Sequence, residues 1–177
     1  PGPKSRIELV PYNNFIYLFA GLSPGSTGNL NMYKFNTLTE TWELLNFSGP
    51  NPFTYNSLEY YSCAIFNSQY FYVTGGREIG SRVGESGIFY FDLTLTNPQW
   101  IKTSNSIEKR FGHKCCILQN GLFIFYGFKR ENVNGTTEQV NNKILLTGLR
   151  YFNGDTRNQF NKRPEQNPTQ TPQITIR

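Results

Sequence analysis

Side chains that could perform acid–base or metal chemistry are scarce in this chain of 177 residues. It has a single histidine, His113, so a metal site built from several histidines is excluded. A Ser-His-Asp arrangement needs only one histidine, so counting histidines does not exclude one. A phosphate-binding loop of the form G-x-x-x-x-G-K-[ST] is also missing from the sequence. We therefore assign no catalytic residue, no metal ligand and no cofactor.

The three cysteines, Cys63, Cys115 and Cys116, do not form the pattern of a disulfide framework. Cys115 and Cys116 are adjacent, and adjacent strand residues point to opposite faces, so they make a poor metal pair. Cys63 and Cys115 fall at matching positions of two similar segments. We expect them to be small buried apolar side chains.

Charged side chains follow two glycine-terminated apolar segments, and the loops that carry them are the candidate binding surface. Loops held by a rigid scaffold often carry function, and arginine is enriched among residues that anchor interfaces. The alternative interpretation is that these loops are simply solvated. The candidate partner-binding residues are Arg77, Glu78, Arg82, Glu85, Lys129, Arg130 and Glu131.

The two apolar segments before these loops, at residues 71–76 and 122–127, have a third counterpart at residues 16–21. Their final glycines, Gly21, Gly76 and Gly127, lie 55 and 51 residues apart, which indicates a repeat. Their aromatic and β-branched residues favour strands, and strands that are apolar on both faces suit a stack of sheets. A glycine at the strand end suits a positive φ or a close backbone approach.

A second set of matching positions follows each glycine. Residues 32–35 alternate as a half-buried strand does, and Asn36 and Asp92 are typical of turns. Trp42 and Trp100 then open a further short strand. We expect the two tryptophans to be equivalent and packed on their own repeat, so truncating either to alanine should cost about 3–5 kcal/mol.

The order of these residues resembles the kelch repeat over about residues 6–156. Ala20 and Tyr126 depart from it, because each replaces the first glycine of the expected pair, and the third repeat has no tryptophan. The residues that match the motif are Arg110, Gly112, His113, Gly75, Gly76, Phe89, Phe91, Asp92 and Trp100. The resemblance implies structural roles for Gly21, Gly75, Gly76, Gly127, Trp42, Trp100, Arg110 and His113.

The fold that this resemblance implies is all-β: a kelch-type β-propeller fragment, or open arc, of about three four-stranded antiparallel blades. Blade 1 is expected at about 6–46, blade 2 at about 60–104 and a degraded blade 3 at about 110–156. The third strand of blade 3 is either 144–146 or 149–153. Tyr17, Tyr72 and Phe123 should occupy matching places. Residues 157–177 are polar and are expected to form a disordered tail.

The net charge of +5 is uneven, since residues 101–177 alone contribute +7. Because the basic residues are scattered, we expect a solvated surface and no nucleic-acid partner. No apolar run approaches the roughly 18–20 residues of a membrane helix. The chain begins without Met and is expected to be processed or a fragment. A cytoplasmic location is favoured, whereas secretion would need an upstream signal peptide, and only then would the sequons at Asn46 and Asn134 matter.

The resemblance implies a non-catalytic protein-interaction scaffold that binds a partner through its inter-strand loops. The alternative is a secreted or cell-surface propeller that binds glycan or protein. A galactose-oxidase-type enzyme is the third class, but its copper site uses two histidines and only His113 is present. Because propellers have about four to eight blades, three blades leave apolar end faces open. We expect either further blades beyond these residues or self-association through the end blades.

Overall fold

The protein is built from short β-strands joined by turns, and a computed structural model describes residues 1–53, 55–81, 83–118, 121–130, 137–139 and 143–147. One 3-10 turn, Pro24–Ser26, is the only helical element within that part of the chain. The predicted all-β class with antiparallel sheets is confirmed. In chain order the strands are β1 (Leu9–Tyr12), β2 (Phe15–Phe19), β3 (Leu22–Ser23), β4 (Thr27–Gly28), β5 (Met32–Asn36), β6 (Thr41–Leu45), β7 (Ser62–Phe66), β8 (Tyr70–Thr74), β9 (Glu85–Asp92), β10 (Ile101–Arg110), β11 (Lys114–Leu118), β12 (Gly121–Phe125), β13 (Phe128–Arg130), β14 (Thr137–Gln139) and β15 (Lys143–Thr147).

The first sheet is an antiparallel meander in the order β1-β2-β5-β6. A tight turn joins β1 to β2, and its Asn13 has a φ of 52°, a left-handed conformation that asparagine tolerates. The predicted turn at Asn36 is present, because its side-chain oxygen accepts a hydrogen bond from Leu38 N at 2.9 Å. The short strands β3 and β4 form a separate hairpin between β2 and β5.

The second sheet has the same meander order, β7-β8-β9-β10. Asp92 closes its last turn by accepting a hydrogen bond from Thr94 N at 2.8 Å. Strand β10 extends to Arg110, past the predicted end of this repeat at about 104. The reason lies in two register shifts opposite β9, and in Gly84, whose missing side chain lets the Arg110 backbone approach closely.

The third sheet contains β11, β12 and β15. Strand β15 includes residues 144–146, so the first of the two predicted positions for the third strand is the one that pairs with β12. The alternative, 149–153, lies outside the described residues, as do the predicted tail at 157–177 and the end of the third repeat. Strands β13 and β14, which lie between β12 and β15 in the chain, pair with each other in antiparallel fashion.

The three sheets share a backbone signature at the end of their second strand. Two successive residues there have positive φ, which glycine adopts freely and other residues adopt at a cost. The pairs, with φ in degrees, are Ala20 (50) and Gly21 (88), Gly75 (53) and Gly76 (94), and Tyr126 (55) and Gly127 (102). The segments aligned by sequence are therefore equivalent in backbone conformation, and Tyr17, Tyr72 and Phe123 occupy matching strand positions.

The second sheet is packed between the other two. On one of its faces, Phe71 and Val73 join a core with Tyr17 and Phe19 of the first sheet. On its other face, Tyr72 belongs to a second core that it shares with Leu122 and Ile124 of the third sheet. Because alternate residues of a strand point to opposite faces, one strand, β8, supplies both cores. No sheet among the described strands closes on itself.

The sheets converge at their first strands. Lys114, at the start of β11, contacts Glu8, immediately before β1, with Nζ and Oε1 2.8 Å apart. The other oxygen of Glu8 accepts a hydrogen bond from Cys63 N in β7 at 2.6 Å. Ser62 Oγ in turn accepts from Cys115 N in β11 at 2.9 Å. These bonds hold β1, β7 and β11 together.

The two tryptophans are equivalent in register but not in burial. Trp42 is paired with Phe35, and Trp100 lies opposite Phe91, one residue before the pair Ile101–Tyr90. Each contacts the ring it faces on its own sheet, as predicted. Trp100 is 7% exposed because the first sheet covers it, whereas Trp42 is 44% exposed. We therefore expect truncation of Trp42 to cost less than truncation of Trp100.

Candidate functional site

One rim of the stack is formed by the turns that follow β2, β8 and β12. In each turn, the residue that follows Gly21, Gly76 or Gly127 forms a backbone bridge. Its partner is a residue that lies just ahead of the first strand of the same sheet. These isolated bridges are Ser5–Leu22, Glu59–Arg77 and Phe111–Phe128. Three equivalent positions are thus aligned along the rim, and each is free to carry a different side chain.

The rim turns are bonded from one repeat to the next. Gly76 N donates to Arg110 O at 2.9 Å, and Gly21 N donates to Leu58 O at 3.3 Å. A side chain at Gly76 would place its Cβ 3.0 Å from Glu59 O and 2.9 Å from Tyr61 Cβ. Glycine at this position therefore permits both the positive φ and the close approach that sets the rim geometry.

At the centre of the rim, one buried carboxylate holds two arginines. Glu59 is fully buried, and its two oxygens contact Arg77 Nε at 2.8 Å and Arg6 Nη1 at 2.5 Å. The hydrogen bond and the charge of Glu59 raise the pKa of Arg6. The Arg6 side chain is 40% exposed, so the trio carries a net charge of +1 that is accessible from solvent.

Aromatic rings frame these arginines. The Arg77 guanidinium lies 4.6 Å from the Phe111 ring centroid and 5.0 Å from that of Tyr60, and the Arg6 guanidinium lies 5.2 Å from the Tyr60 centroid. Such cation–π contacts contribute about 0.5–1 kcal/mol each at exposed sites. Phe111 stacks on Phe128, which is exposed, and Tyr60 is exposed as well. We call Arg6, Glu59, Tyr60, Arg77, Phe111 and Phe128 the rim cluster.

The predicted partner-binding residues are only partly brought together. Arg77 belongs to the rim cluster, and Glu78 follows it in a half-buried position. Glu85 is not on an open loop, because it begins β9, is buried, and accepts hydrogen bonds from the backbone of Ser86 and Gly87. Lys129 and Arg130 lie in β13 beside the rim. Arg82 and Glu131 lie outside the described residues.

Sequence reasoning missed the other members of the rim cluster as binding residues. Arg6 and Glu59 are 53 residues apart, so no local spacing connects them. The available signal is the set of matching positions ahead of the first strand of each sheet. At these positions Arg6, Tyr60 and Gly112 have positive φ values of 54°, 54° and 65°. If these positions had been interpreted as part of the rim, and not only as strand starts, Tyr60 would have been predicted as a binding residue.

The single histidine occupies a buried polar site instead of the surface. His113 is 1% exposed, and its Nε2 lies 2.8 Å from Thr74 Oγ. Burial and the positive charge of Arg110 lower the pKa of His113 to about 3. Its ring lies against Gly75, where a Cβ would come within 2.6 Å of His113 Cε1. The imidazole is therefore neutral at physiological pH and is shielded from substrate.

The cysteines near this site are not activated. Burial raises the pKa of Cys115 to about 12 and that of Cys63 well above its ordinary value. Since the thiolate is the reactive form, both are inert at neutral pH. All three cysteines are free thiols, and no group of three potential metal ligands occurs among the described residues.

Arg110 is also buried, at the end of β10. Its Nη1 donates to Tyr126 O at 2.9 Å, and its Nη2 contacts Glu108 at 3.4 Å. Burial lowers the pKa of Arg110. The side chain connects the second sheet to the left-handed turn of the third, which is a structural use of the charge.

The clefts between the sheets are small. One of about 190 Å³ is lined by Lys34, Glu43 and Asp92, and another of about 240 Å³ by Phe47, Phe53 and Trp100. Sites for small molecules usually measure about 300–1,000 Å³. No helix in the described part of the chain is long and apolar enough to cross a membrane.

No family model matches the chain, and no curated protein sequence matches it. The assignment of function therefore depends on the geometry described above.

Proposed function

We propose that this chain is an open arc of kelch-type propeller blades that acts as a protein-interaction scaffold. Support comes from the two four-stranded meanders, from the repeated pair of left-handed residues, and from first strands that converge. In a propeller the blades pack on one another and the rim loops are free to vary. A rim is therefore the place where such an arc offers a binding surface.

The observation that carries the binding proposal is the rim cluster itself. Its buried carboxylate fixes the geometry of Arg77 and Arg6, so a partner need not immobilise two flexible side chains. Arginine and tyrosine beside apolar rings are the residue types that dominate binding energy at protein interfaces. The surplus positive charge and the exposed Tyr60 and Phe128 rings together fit a protein segment with an acidic side chain next to an apolar one.

A non-catalytic role agrees with the chemistry of the described residues. The only histidine is buried and neutral, and the thiols of Cys63 and Cys115 are kept protonated. The rim cluster has charge and aromatic surface but no nucleophile poised beside a base, so we propose binding without a chemical step.

Selection from a displayed library of random 16-residue peptides tests this function. We expect the wild-type protein to select peptides that combine Asp or Glu with a hydrophobic residue. Tyr60→Gly should weaken their binding at least tenfold, because it removes the ring that both arginines contact. The substitution suits the backbone, since glycine stands at the equivalent position 112 with a similar φ.

Ala20→Gly is the matched control. Ala20 also has a positive φ, 50°, and a glycine stands at its equivalent position, 75, but its side chain is not in the rim cluster. Its binding should equal that of the wild type. Peptides that bind both variants equally, or a library that yields no acidic consensus, would contradict the proposed role of the rim cluster.

A further inference from the structure

The three sheets are stacked in the same sense, so each has a leading face and a trailing face. The leading face carries Ile16, Phe71 or Leu122 and their neighbours at alternate positions, and the trailing face carries Tyr17, Tyr72 or Phe123. The trailing face of the first sheet covers the leading face of the second, and the trailing face of the second covers the leading face of the third.

The leading face of the first sheet is apolar, and no other described sheet packs on it; Leu18 at its centre is 5% exposed, and the outer strand β6 is open to solvent. Trp42 and Leu44 are 44% and 46% exposed there. The equivalent residue of the second sheet, Trp100, is 7% exposed, and Phe91, equivalent to Phe35, is 1% exposed. The chemistry of the two faces is alike, and they differ in having or lacking a covering sheet.

The trailing face of the third sheet is the complementary open surface. Phe123 and Phe125 stack there with ring centroids 6.3 Å apart and remain half-buried. Their equivalents in the second sheet, Tyr72 and Thr74, are buried. Each end of the stack therefore presents aromatic residues whose equivalents in the second sheet are covered by a neighbouring sheet.

The chain itself indicates what fits the open leading face. Within the stack, Trp100 contacts Phe19, the last residue of β2, with ring centroids 5.1 Å apart. Phe125 stands at the same place as Phe19, immediately before the left-handed pair of its own sheet. We propose that Phe125 of a second copy packs on Trp42, as Phe19 packs on Trp100, so that the third sheet of one copy covers the first sheet of another.

This contact is head-to-tail, and reciprocal docking of two copies would use both open faces of each. Heterologous contacts build either closed rings or open filaments. Two arcs of three sheets give six, which is within the range of about four to eight blades found in closed propellers. Contacts among β1, β7 and β11 place the first strands of the three sheets side by side, as ring closure needs. The proposed assembly is a closed dimer.

Complementation between two variants tests the dimer. Trp42→Arg destroys one open face and Phe125→Arg the other, so each variant alone should sediment as a monomer at about 50 µM. An equimolar mixture should form a heterodimer, because one intact contact remains between an unaltered Phe125 and an unaltered Trp42. The wild type and the control Leu95→Arg, altered at an exposed turn residue, should sediment as dimers.

Several outcomes would overturn the proposal. The proposal is wrong if the wild type is monomeric or larger than a dimer. It is also wrong if either variant alone stays dimeric, or if the equimolar mixture stays monomeric. Leu44→Arg, on the same face as Trp42, replaces Trp42→Arg if that variant loses its cooperative thermal melt. The inference rests on the proposed arc but not on the rim cluster, so peptide selection can fail while the dimer forms, and the reverse.

Discussion

The buried, neutral state of His113 predicts a specific acid sensitivity. Thr74 Oγ donates to Ser62 O at 3.3 Å, so it accepts the hydrogen of His113 Nε2, which leaves Nδ1 as the unprotonated nitrogen. Nδ1 is buried and has no hydrogen-bond partner among the described residues. A proton added there would be unsolvated and close to Arg110, which is why the pKa falls to about 3.

The size of the effect follows from proton linkage. In the unfolded chain the histidine has an ordinary pKa of about 6.5, so below that pH the unfolded state binds one proton more than the folded state. The contribution of His113 to the free energy of unfolding is therefore fully present above pH 6.5. Below that pH it is lost by about 1.4 kcal/mol per pH unit. Between pH 7.5 and pH 5 the free energy of unfolding should fall by about 2 kcal/mol on account of His113 alone.

Urea unfolding at pH 7.5 and pH 5 measures this loss. His113→Gln keeps an N–H that can donate to Thr74 and cannot titrate, so its stability should fall by about 2 kcal/mol less than that of the wild type over this interval. Because the chain has one histidine, its Cε1 proton resonance gives an independent reading and should not titrate above pH 4 in the folded protein. Parallel pH dependences for the two proteins, or a histidine titrating near pH 6.5, would refute the argument.

Four further substitutions have expected effects on the free energy of unfolding, each measured by urea titration below the concentration at which copies associate. Trp100→Ala should cost about 3–5 kcal/mol, while Trp42→Ala, whose ring is partly exposed, should cost about 1 kcal/mol; equal losses would contradict the difference in burial. Tyr126→Gly should stabilise by about 1 kcal/mol because it relieves a positive φ, and a destabilisation would count against that strain. Glu59→Gln should cost about 2 kcal/mol by weakening two charged hydrogen bonds, and an unchanged stability would mean that the arginines do not depend on it.

The parts of the fold that depend on local chemistry could be predicted from sequence. Gly76 and Gly127 end strands with a positive φ, which their type and period indicated, and the turns at Asn36 and Asp92 use the expected side-chain bonds. The equivalence of Trp42 and Trp100 followed from the same spacing. Each of these features is set by residues close to one another in the chain.

The features that could not be predicted depend on distant or irregular contacts. The extension of β10 to Arg110 requires register shifts against β9, which no hydrophobic period reveals. The rim cluster joins Arg6 to Glu59 across 53 residues, and its central carboxylate looks like any other surface acid in sequence. Trp42 is exposed because none of the described sheets covers it, which the residues around it cannot encode.

The proposed arc requires the first strands of the three sheets to lie side by side. Zero-length carbodiimide crosslinking tests this requirement most directly. Lys114 and Glu8 are 106 residues apart, yet Nζ and Oε1 lie 2.8 Å apart. Lys34 and Glu43, within the first sheet, are also 2.8 Å apart and serve as the matched control. Mass spectrometry of the monomeric band should detect both crosslinks; recovery of the Lys34–Glu43 crosslink without the Lys114–Glu8 crosslink would contradict the arc.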